Sequence, residues 1–218
     1  KYMCGIAGYI GKKQINDKKI IKTLGLMKNR GPDHQGWRSF TANDTNVYLL
    51  HSRLSIIDLD ERSNQPFSFN GATLVFNGEI YNYVEVREKL KNKGHVFTTN
   101  SDTEVLLKAY IEYGEVCVQH FNGMWAFAIW DDKKKKIFLS RDRFAEKPLY
   151  YFHDNDGFYF ASEIKAIQSL LQKKLQINYD HLKRYLVYGY KFLHKTLQTY
   201  LHGIRKLEYS SNATLDCD

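Results

Sequence analysis

Cys4 stands close to the start of the chain and is followed directly by an apolar run, Gly5 to Ile10. Such a run predicts a buried strand, so the thiol would lie at the beginning of that strand. If the chain begins at Cys4, one carbon atom carries both a thiol and a free α-amine. An α-amine titrates near pH ~7.7–8.0 and can accept the proton of the thiol, which activates the sulfur as a nucleophile. The alternative is a small buried cysteine without a chemical role.

The pair Asn77–Gly78 follows an apolar strand predicted over residues 72–76. An Asn-Gly pair usually forms a tight hairpin turn, which is the structural interpretation. The same pair offers a side-chain amide and a backbone N–H close together, and two such donors can stabilise a developing oxyanion. The residues alone leave both interpretations open.

Arg53 interrupts an apolar stretch that predicts two strands, Val47 to Leu50 and Leu54 to Ile57. A buried guanidinium without a partner is costly, so we expect a carboxylate opposite it, gripped by two parallel hydrogen bonds. That carboxylate can belong to the protein or to a substrate, and the residues alone favour the protein.

Residues 101–104 read Ser-Asp-Thr-Glu, which is the pattern of a capping box and predicts the start of a helix through Tyr110. Capping accounts for Ser101 and Glu104. Asp102 suits the positive end of the helix dipole, which explains it only weakly.

The other elements predict the layers that must position these residues. Asn16–Asp17 caps a helix whose apolar face ends at Met27, and we expect Arg30 and Asp33 to brace the following turn by pairing. A second helix is predicted over residues 83–93, and strands over 124–130, 137–141, 149–153 and 158–161. Strands and helices followed by a meander favour a layered α+β fold over alternating βαβ units.

The composition excludes several classes of protein. An apolar fraction of 43% supports a real core, and the formal charge of +8 is spread out rather than gathered into a basic motif. We therefore expect no nucleic-acid partner. Three scattered cysteines fit neither a disulfide framework nor a zinc site. With no signal peptide or membrane span in the sequence, we expect no membrane association and a cytoplasmic location.

Taken together, the motifs resemble the amino-terminal glutaminase domain of glutamine-dependent asparagine synthetases, which are class II glutamine amidotransferases among the N-terminal nucleophile hydrolases. Six stretches carry the resemblance in the family's order: 4–8, 30–33, 53–56, 77–82, 101–104 and 141–144. Each is weak alone, but together they are specific. The resemblance implies a four-layer αββα sandwich with two mainly antiparallel sheets.

The resemblance also assigns roles to residues. Cys4 would attack the side-chain amide of glutamine, with Asn77 and the N–H of Gly78 as the oxyanion hole. Arg53 would bind the substrate α-carboxylate, while Asp102, with Glu79 near it, would receive the α-ammonium. No metal or nucleotide is expected for this half-reaction. Loss of one oxyanion donor typically raises the barrier by ~2.7–4 kcal/mol.

The resemblance implies a glutaminase domain over residues 4–195, and a linker over 196–218 that leads into a missing synthetase domain. ATP and Mg²⁺ are expected only in that domain, which would act in cis or in trans, and a homodimer is left open. Lys1-Tyr2-Met3 precede the nucleophile, and while attached they turn its α-amine into an inert amide. Ala145 stands where the family commonly has glycine, which strains the turn by about 1 kcal/mol if φ is positive there.

Three alternatives remain open at the level of sequence. A related enzyme could pass the ammonia to another acceptor, such as a sugar acid in polysaccharide synthesis. A non-catalytic module could keep the fold and bind an amino acid. An N-terminal nucleophile acylase could act on a different amide, although a cation paired with an anion suits a free amino acid better.

Overall fold

The computed structural model describes residues 3–171, 173–189 and 196–217, which fold into two antiparallel sheets flanked by helices. In chain order the helices and strands are β1 (Gly5–Gly11), α1 (Asp17–Met27), β2 (His34–Ala42), β3 (Thr45–Arg53), β4 (Phe67–Phe69), β5 (Ala72–Ile80), α2 (Tyr83–Lys91), α3 (Asp102–Tyr113), β6 (Gly123–Asp131), β7 (Lys136–Arg141), β8 (Tyr150–Asp154), β9 (Gly157–Ala161), α4 (Ile164–Leu170), α5 (Tyr179–Tyr188), β10 (Arg205–Lys206) and β11 (Asn212–Asp216). The strand order is β10-β8-β9-β1-β3-β2 in the first sheet and β11-β7-β6-β5-β4 in the second.

The alternation of side chains along the central strands builds the layers. In β1, Ile6 and Ile10 pack with Val75 and Ala128 of the second sheet. Because successive side chains point to opposite faces, the neighbouring Ala7 of β1 packs instead against α1 and α4. The second sheet repeats the pattern, with one face in the sandwich and the other covered by α2 and α3. The four-layer αββα prediction is confirmed.

One predicted strand is absent, and one strand is present that the sequence does not predict. Residues 54–57 form no strand, because β3 already ends at Arg53 and the chain then leaves the sheet as a loop. Residues 34–42, for which the sequence predicts no element, form β2 at the edge of the first sheet. This strand is mostly exposed, so it lacks the apolar alternation by which a strand is recognised.

The segment after residue 195 is more ordered than a linker. β10 pairs with β8 of the first sheet, and β11 pairs with β7 of the second over five residues. The prediction of a linker is therefore wrong for these two strands, whose backbone hydrogen bonds complete the sheet edges despite a polar sequence. Lys195, the predicted end of the glutaminase domain, lies outside the described residues, and that boundary stays a prediction.

Candidate active site

One cleft gathers all six residues that the sequence singles out. It lies between the start of β1, the end of β5, the N-terminus of α3 and the loop after β3. The predicted residues that line it are Cys4, Arg53, Asn77, Gly78, Glu79 and Asp102. They come from four separate parts of the chain, so the tertiary fold alone brings them together.

Cys4 lies at the base of the cleft, and the backbone of Leu54 contacts its sulfur. The Leu54 N–H donates to Sγ at 3.3 Å, and the thiol donates to the Leu54 carbonyl at 3.5 Å. Burial raises the pKa of the Cys4 thiol, although the Leu54 hydrogen bond and the charge of Arg53 oppose this rise. The thiol is therefore protonated at neutral pH, and a base must take its proton before the sulfur can attack.

Arg30 holds the backbone of the nucleophile, a role that sequence reasoning missed. Its Nε donates to the carbonyl of Cys4 at 2.9 Å, and its Nη1 lies 3.9 Å from Glu163. The expected pairing of Arg30 with Asp33 is wrong, since Asp33 instead accepts the N–H of Ser55 at 2.7 Å. No local pattern could reveal the contact, because 26 residues separate Arg30 from Cys4.

Asn77 and Gly78 lie inside β5 and pair with Ala126 and Trp125 of β6, so the hairpin interpretation is wrong. A Cβ at Gly78 would lie 2.1 Å from the carbonyl oxygen of Met124, which explains the need for glycine here. The Asn77 side chain is 1% exposed, and within the described chain its Nδ2 has no hydrogen-bond partner. A buried N–H₂ group without an acceptor is unfavourable, so this donor is available to an oxygen placed in the cleft.

Arg53 has partners other than the expected protein carboxylate. Its Nη1 donates to Asn64 Oδ1 at 2.7 Å and to the Asp60 carbonyl at 3.0 Å, and its Nη2 donates to the Asp58 carbonyl. These contacts fix the loop that forms one wall of the cleft. The prediction of a protein carboxylate is wrong because backbone and amide oxygens of the loop provide the acceptors.

Asp102 opens α3 and is 5% exposed. Its Oδ2 accepts the N–H of Ile80 at 3.0 Å, which ties the helix to the end of β5. Burial raises the pKa of Asp102 to about 6, and the negative charge of Glu79 contributes to the rise. A buried carboxylate beside a second one is a natural site for a cation.

The capping box is correct for Ser101 and wrong for Glu104. The Ser101 hydroxyl accepts the N–H of Thr103 at 3.1 Å. Glu104 accepts instead from the backbone of Thr98 and Thr99 and forms a fully buried ion pair with Lys108 at 2.8 Å. Glu104 therefore anchors the segment that leads into the helix.

Two further buried side chains support the wall that carries Asn77. Gln65 accepts the N–H of Phe76 at 2.6 Å and donates to the Thr103 hydroxyl at 3.3 Å, so it joins β5 to α3. His51 Nε2 donates to the carbonyl of Phe76 at 3.1 Å, and burial lowers the pKa of His51 to about 3, so the ring is neutral. Together they fix the backbone N–H and carbonyl of Phe76, the residue that precedes Asn77.

The loop after β7 forms the remaining side of the cleft. The Asp142 carboxylate accepts the N–H groups of Phe144, Glu146 and Lys147, each at 3.0 Å. Ala145 has φ of 54°, so the condition for strain at this position is met. The turn also carries Lys147 into the cleft, a residue that the sequence did not single out.

Residues 3–171, 173–189 and 196–217 offer neither a clustered metal site nor a membrane-spanning helix. No group of three or more His, Cys, Asp or Glu side chains there could hold a metal ion. No helix in the same ranges is long and apolar enough to cross a bilayer.

Comparisons with known proteins place this geometry in context. The chain is 39% identical to a protein of Methanocaldococcus jannaschii named as an asparagine synthetase (glutamine-hydrolyzing) 2, over 99% of this chain and 44% of the relative. It is 38% identical to asparagine synthetase (glutamine-hydrolyzing) 1 of Bacillus subtilis, over 99% of this chain and 34% of the relative. The chain thus spans less than half the length of these curated relatives.

A solved structure shares the fold. It is described as glutamine phosphoribosylpyrophosphate amidotransferase from B. subtilis complexed with ADP and GMP, and it aligns with a TM-score of 0.61 at 21% identity. The alignment covers 77% of this chain and 43% of the other, which supports the N-terminal nucleophile hydrolase fold. A family model described as a glutamine amidotransferase domain matches residues 3–218. The chain belongs to the glutamine amidotransferase domain family.

Proposed function

We propose that this domain hydrolyses glutamine to glutamate and ammonia through a thioester on Cys4. The ammonia would pass to a synthetase domain of the asparagine synthetase type, in cis or in trans. Support for such a partner comes from the relatives, which extend well beyond the part that this chain matches.

The observation that carries the proposal is the unpaired amide of Asn77 in the same cleft as Cys4. An apolar core would not retain a buried N–H₂ group without an acceptor, because its desolvation is not compensated. An oxygen that becomes negative during acyl transfer is the ligand that such a donor stabilises best.

In the proposed reaction, Cys4 Sγ bonds to the side-chain amide carbon of glutamine as the thiol proton moves to the α-amine of Cys4. Asn77 Nδ2 and the N–H of Gly78 stabilise the oxyanion. The C–N bond then breaks, the α-ammonium returns its proton, and ammonia leaves. Water attacks the thioester, which releases glutamate and restores the thiol. Each step is acyl transfer, for which the proposal uses no nucleotide and no metal.

The two ends of the substrate would be bound by opposite charges. Arg53 lines the cleft, where its guanidinium would attract the α-carboxylate. Asp102 and Glu79 line the same cleft, where their two carboxylates would bind the α-ammonium. A cleft with this distribution of charge fits a free amino acid better than a peptide or an acyl chain.

The first test is Cys4→Ala, measured as ammonia release from glutamine, with intact mass showing that the parent and the variant both begin at position 4. We expect the variant to lose activity completely, since no other group supplies the nucleophile. Cys117→Ala is the matched control, because Cys117 is fully buried in the core around α3 and does not line the cleft.

If Cys4→Ala releases ammonia at the parent rate, the mechanism is contradicted. If the parent chain that begins at Cys4 binds glutamine without releasing ammonia, the domain is a non-catalytic amino-acid-binding module instead. The acceptor is a separate question, which is answered by supplying ammonia to the complete protein with aspartate or with a sugar acid.

A further inference from the structure

Lys147 is a buried cation that the reaction proposed above does not use. Its side chain lines the cleft, and the residue is 6% exposed. Its backbone is held at both ends, because its N–H donates to Asp142 at 3.0 Å and its carbonyl accepts from Arg141 Nε at 2.8 Å. The loop therefore fixes the backbone from which the Lys147 side chain enters the cleft.

The partner of this ammonium is unusual. Nζ lies 3.2 Å from Sδ of Met3, the residue that precedes the nucleophile, and a thioether is only a weak acceptor. Within the described residues, no carboxylate oxygen lies within 4 Å of Nζ. Lys108 is also buried, but its charge is neutralised in the ordinary way by an ion pair with Glu104 at 2.8 Å. A buried cation without a counter-ion is costly unless an anion forms beside it.

The anion in question is the sulfur of Cys4. Burial lowers the pKa of Lys147, and the negative charges of Glu79 and of ionised Cys4 oppose that effect. The same interaction favours the thiolate, since Lys147 is among the cations that lower the pKa of Cys4. The other charged groups that face Cys4 or Lys147 are Arg30 after α1, Arg53 at the end of β3, Glu79 in β5, Asp102 at the start of α3 and Asp142 after β7.

We propose that Lys147 is a positioning residue for the nucleophile. Its ammonium stabilises the Cys4 thiolate electrostatically. Resting on the proposed function, a second consequence concerns the chain that begins at Cys4. There the thioether of Met3 is absent, and the freed α-amine of Cys4 belongs to the same cleft as the ammonium. A neighbouring positive charge disfavours protonation of that amine, which keeps it available as the base.

The test compares Lys147→Met with Lys147→Arg in the full chain. Methionine is similar in length and removes the charge, while arginine keeps it. Iodoacetamide alkylation of Cys4 is followed against pH, with modification quantified by mass spectrometry on the peptide that contains Cys4. We expect Cys4 of Lys147→Met to be alkylated about tenfold more slowly at pH 7, because less of the thiol is ionised. At higher pH the thiol ionises in both proteins, so the variant should recover the parent rate. Lys147→Arg should keep the parent profile.

Lys134→Met is the matched control, since it removes the same charge from an exposed position at the far end of the β6–β7 hairpin. An unchanged profile in Lys147→Met overturns the proposal, as does an equal shift in Lys147→Arg or in Lys134→Met. Because alkylation needs no glutamine, this result stands apart from the test of glutaminase activity. A rise in KM for glutamine with unchanged alkylation would assign Lys147 to substrate binding and overturn the proposal equally.

Discussion

The first turn of α3 carries two buried carboxylates, which lie in opposite kinds of environment. Glu104 points into the protein, where it is 1% exposed and pairs with Lys108. Asp102 faces the cleft, where it is 5% exposed and lies beside Glu79 with no ion pair in the described part of the chain. The two residues are only two positions apart and equally hidden from water.

The difference separates a carboxylate that holds the fold from one that is prepared for a ligand. Burial alone raises the pKa of Glu104, but hydrogen bonds from Lys108, Thr98 and Thr99 outweigh it and lower the pKa. For Asp102, burial is not outweighed, and the pKa is raised to about 6. A buried titratable side chain that lies in a cleft and has a shifted pKa is typical of a functional site.

The largest expected effect is on stability, from Glu104→Ala. This change leaves the Lys108 ammonium buried and unpaired, and we expect the free energy of unfolding to fall by about 3–5 kcal/mol. Urea denaturation measures it. In the control, Glu112→Ala breaks the partly exposed pairs with Lys93 and His95, and a much smaller loss is expected because solvent screens these charges. Equal losses of unfolding free energy in the two variants would show that the buried ion pair of Glu104 contributes no more than an exposed pair.

Asp102→Asn should change stability in the opposite direction. Because the pKa of Asp102 is raised on folding, the native state binds its proton more tightly than the unfolded state does. This contribution favours folding at low pH and is lost as the pH rises from the ordinary value through about 6. We expect Asp102→Asn to be more stable than the parent by about 2–3 kcal/mol at pH 8 and about equal to it at pH 4.

The measurement is urea denaturation of both proteins at the two pH values. A stability difference that does not change with pH would mean that Asp102 is already compensated in the native state. The same variant tests substrate binding, since we expect its KM for glutamine to rise more than kcat falls. An unchanged KM would show that Asp102 does not bind the α-ammonium of glutamine.

The smallest effect concerns the cap residue directly before the two carboxylates. Ser101→Ala removes the hydrogen bond to the Thr103 N–H and should lower the free energy of unfolding by about 1 kcal/mol. Asn16→Ala is matched to it, because Asn16 caps α1 in the same way through the Lys19 N–H. Only Ser101→Ala should raise KM, since it alone adjoins Asp102. Equal KM values in the two variants would show that the cap does not position the carboxylate.

Sequence reasoning found the residues of the cleft but not what holds them. Cys4, Asn77 and Asp102 belong to short motifs with recognisable chemistry. The contacts made by Arg30, Gln65 and Lys147 join positions far apart in the chain, and no local pattern encodes such pairs. Asn77–Gly78 illustrates the limit, because its local preference for a turn yields to nine-residue pairing between β5 and β6.

The sequence by itself determined the alternation that forms two sheets, the caps of α1 and α3, and the set of residue types that a glutamine-hydrolysing site requires. These depend on neighbours a few residues apart, which the chain order fixes. Only the tertiary structure decided that Arg53 binds loop oxygens, that Glu104 is neutralised while Asp102 is not, and that a lysine faces the nucleophile. Those outcomes depend on burial and on distance, which arise only when the two sheets and their helices pack together.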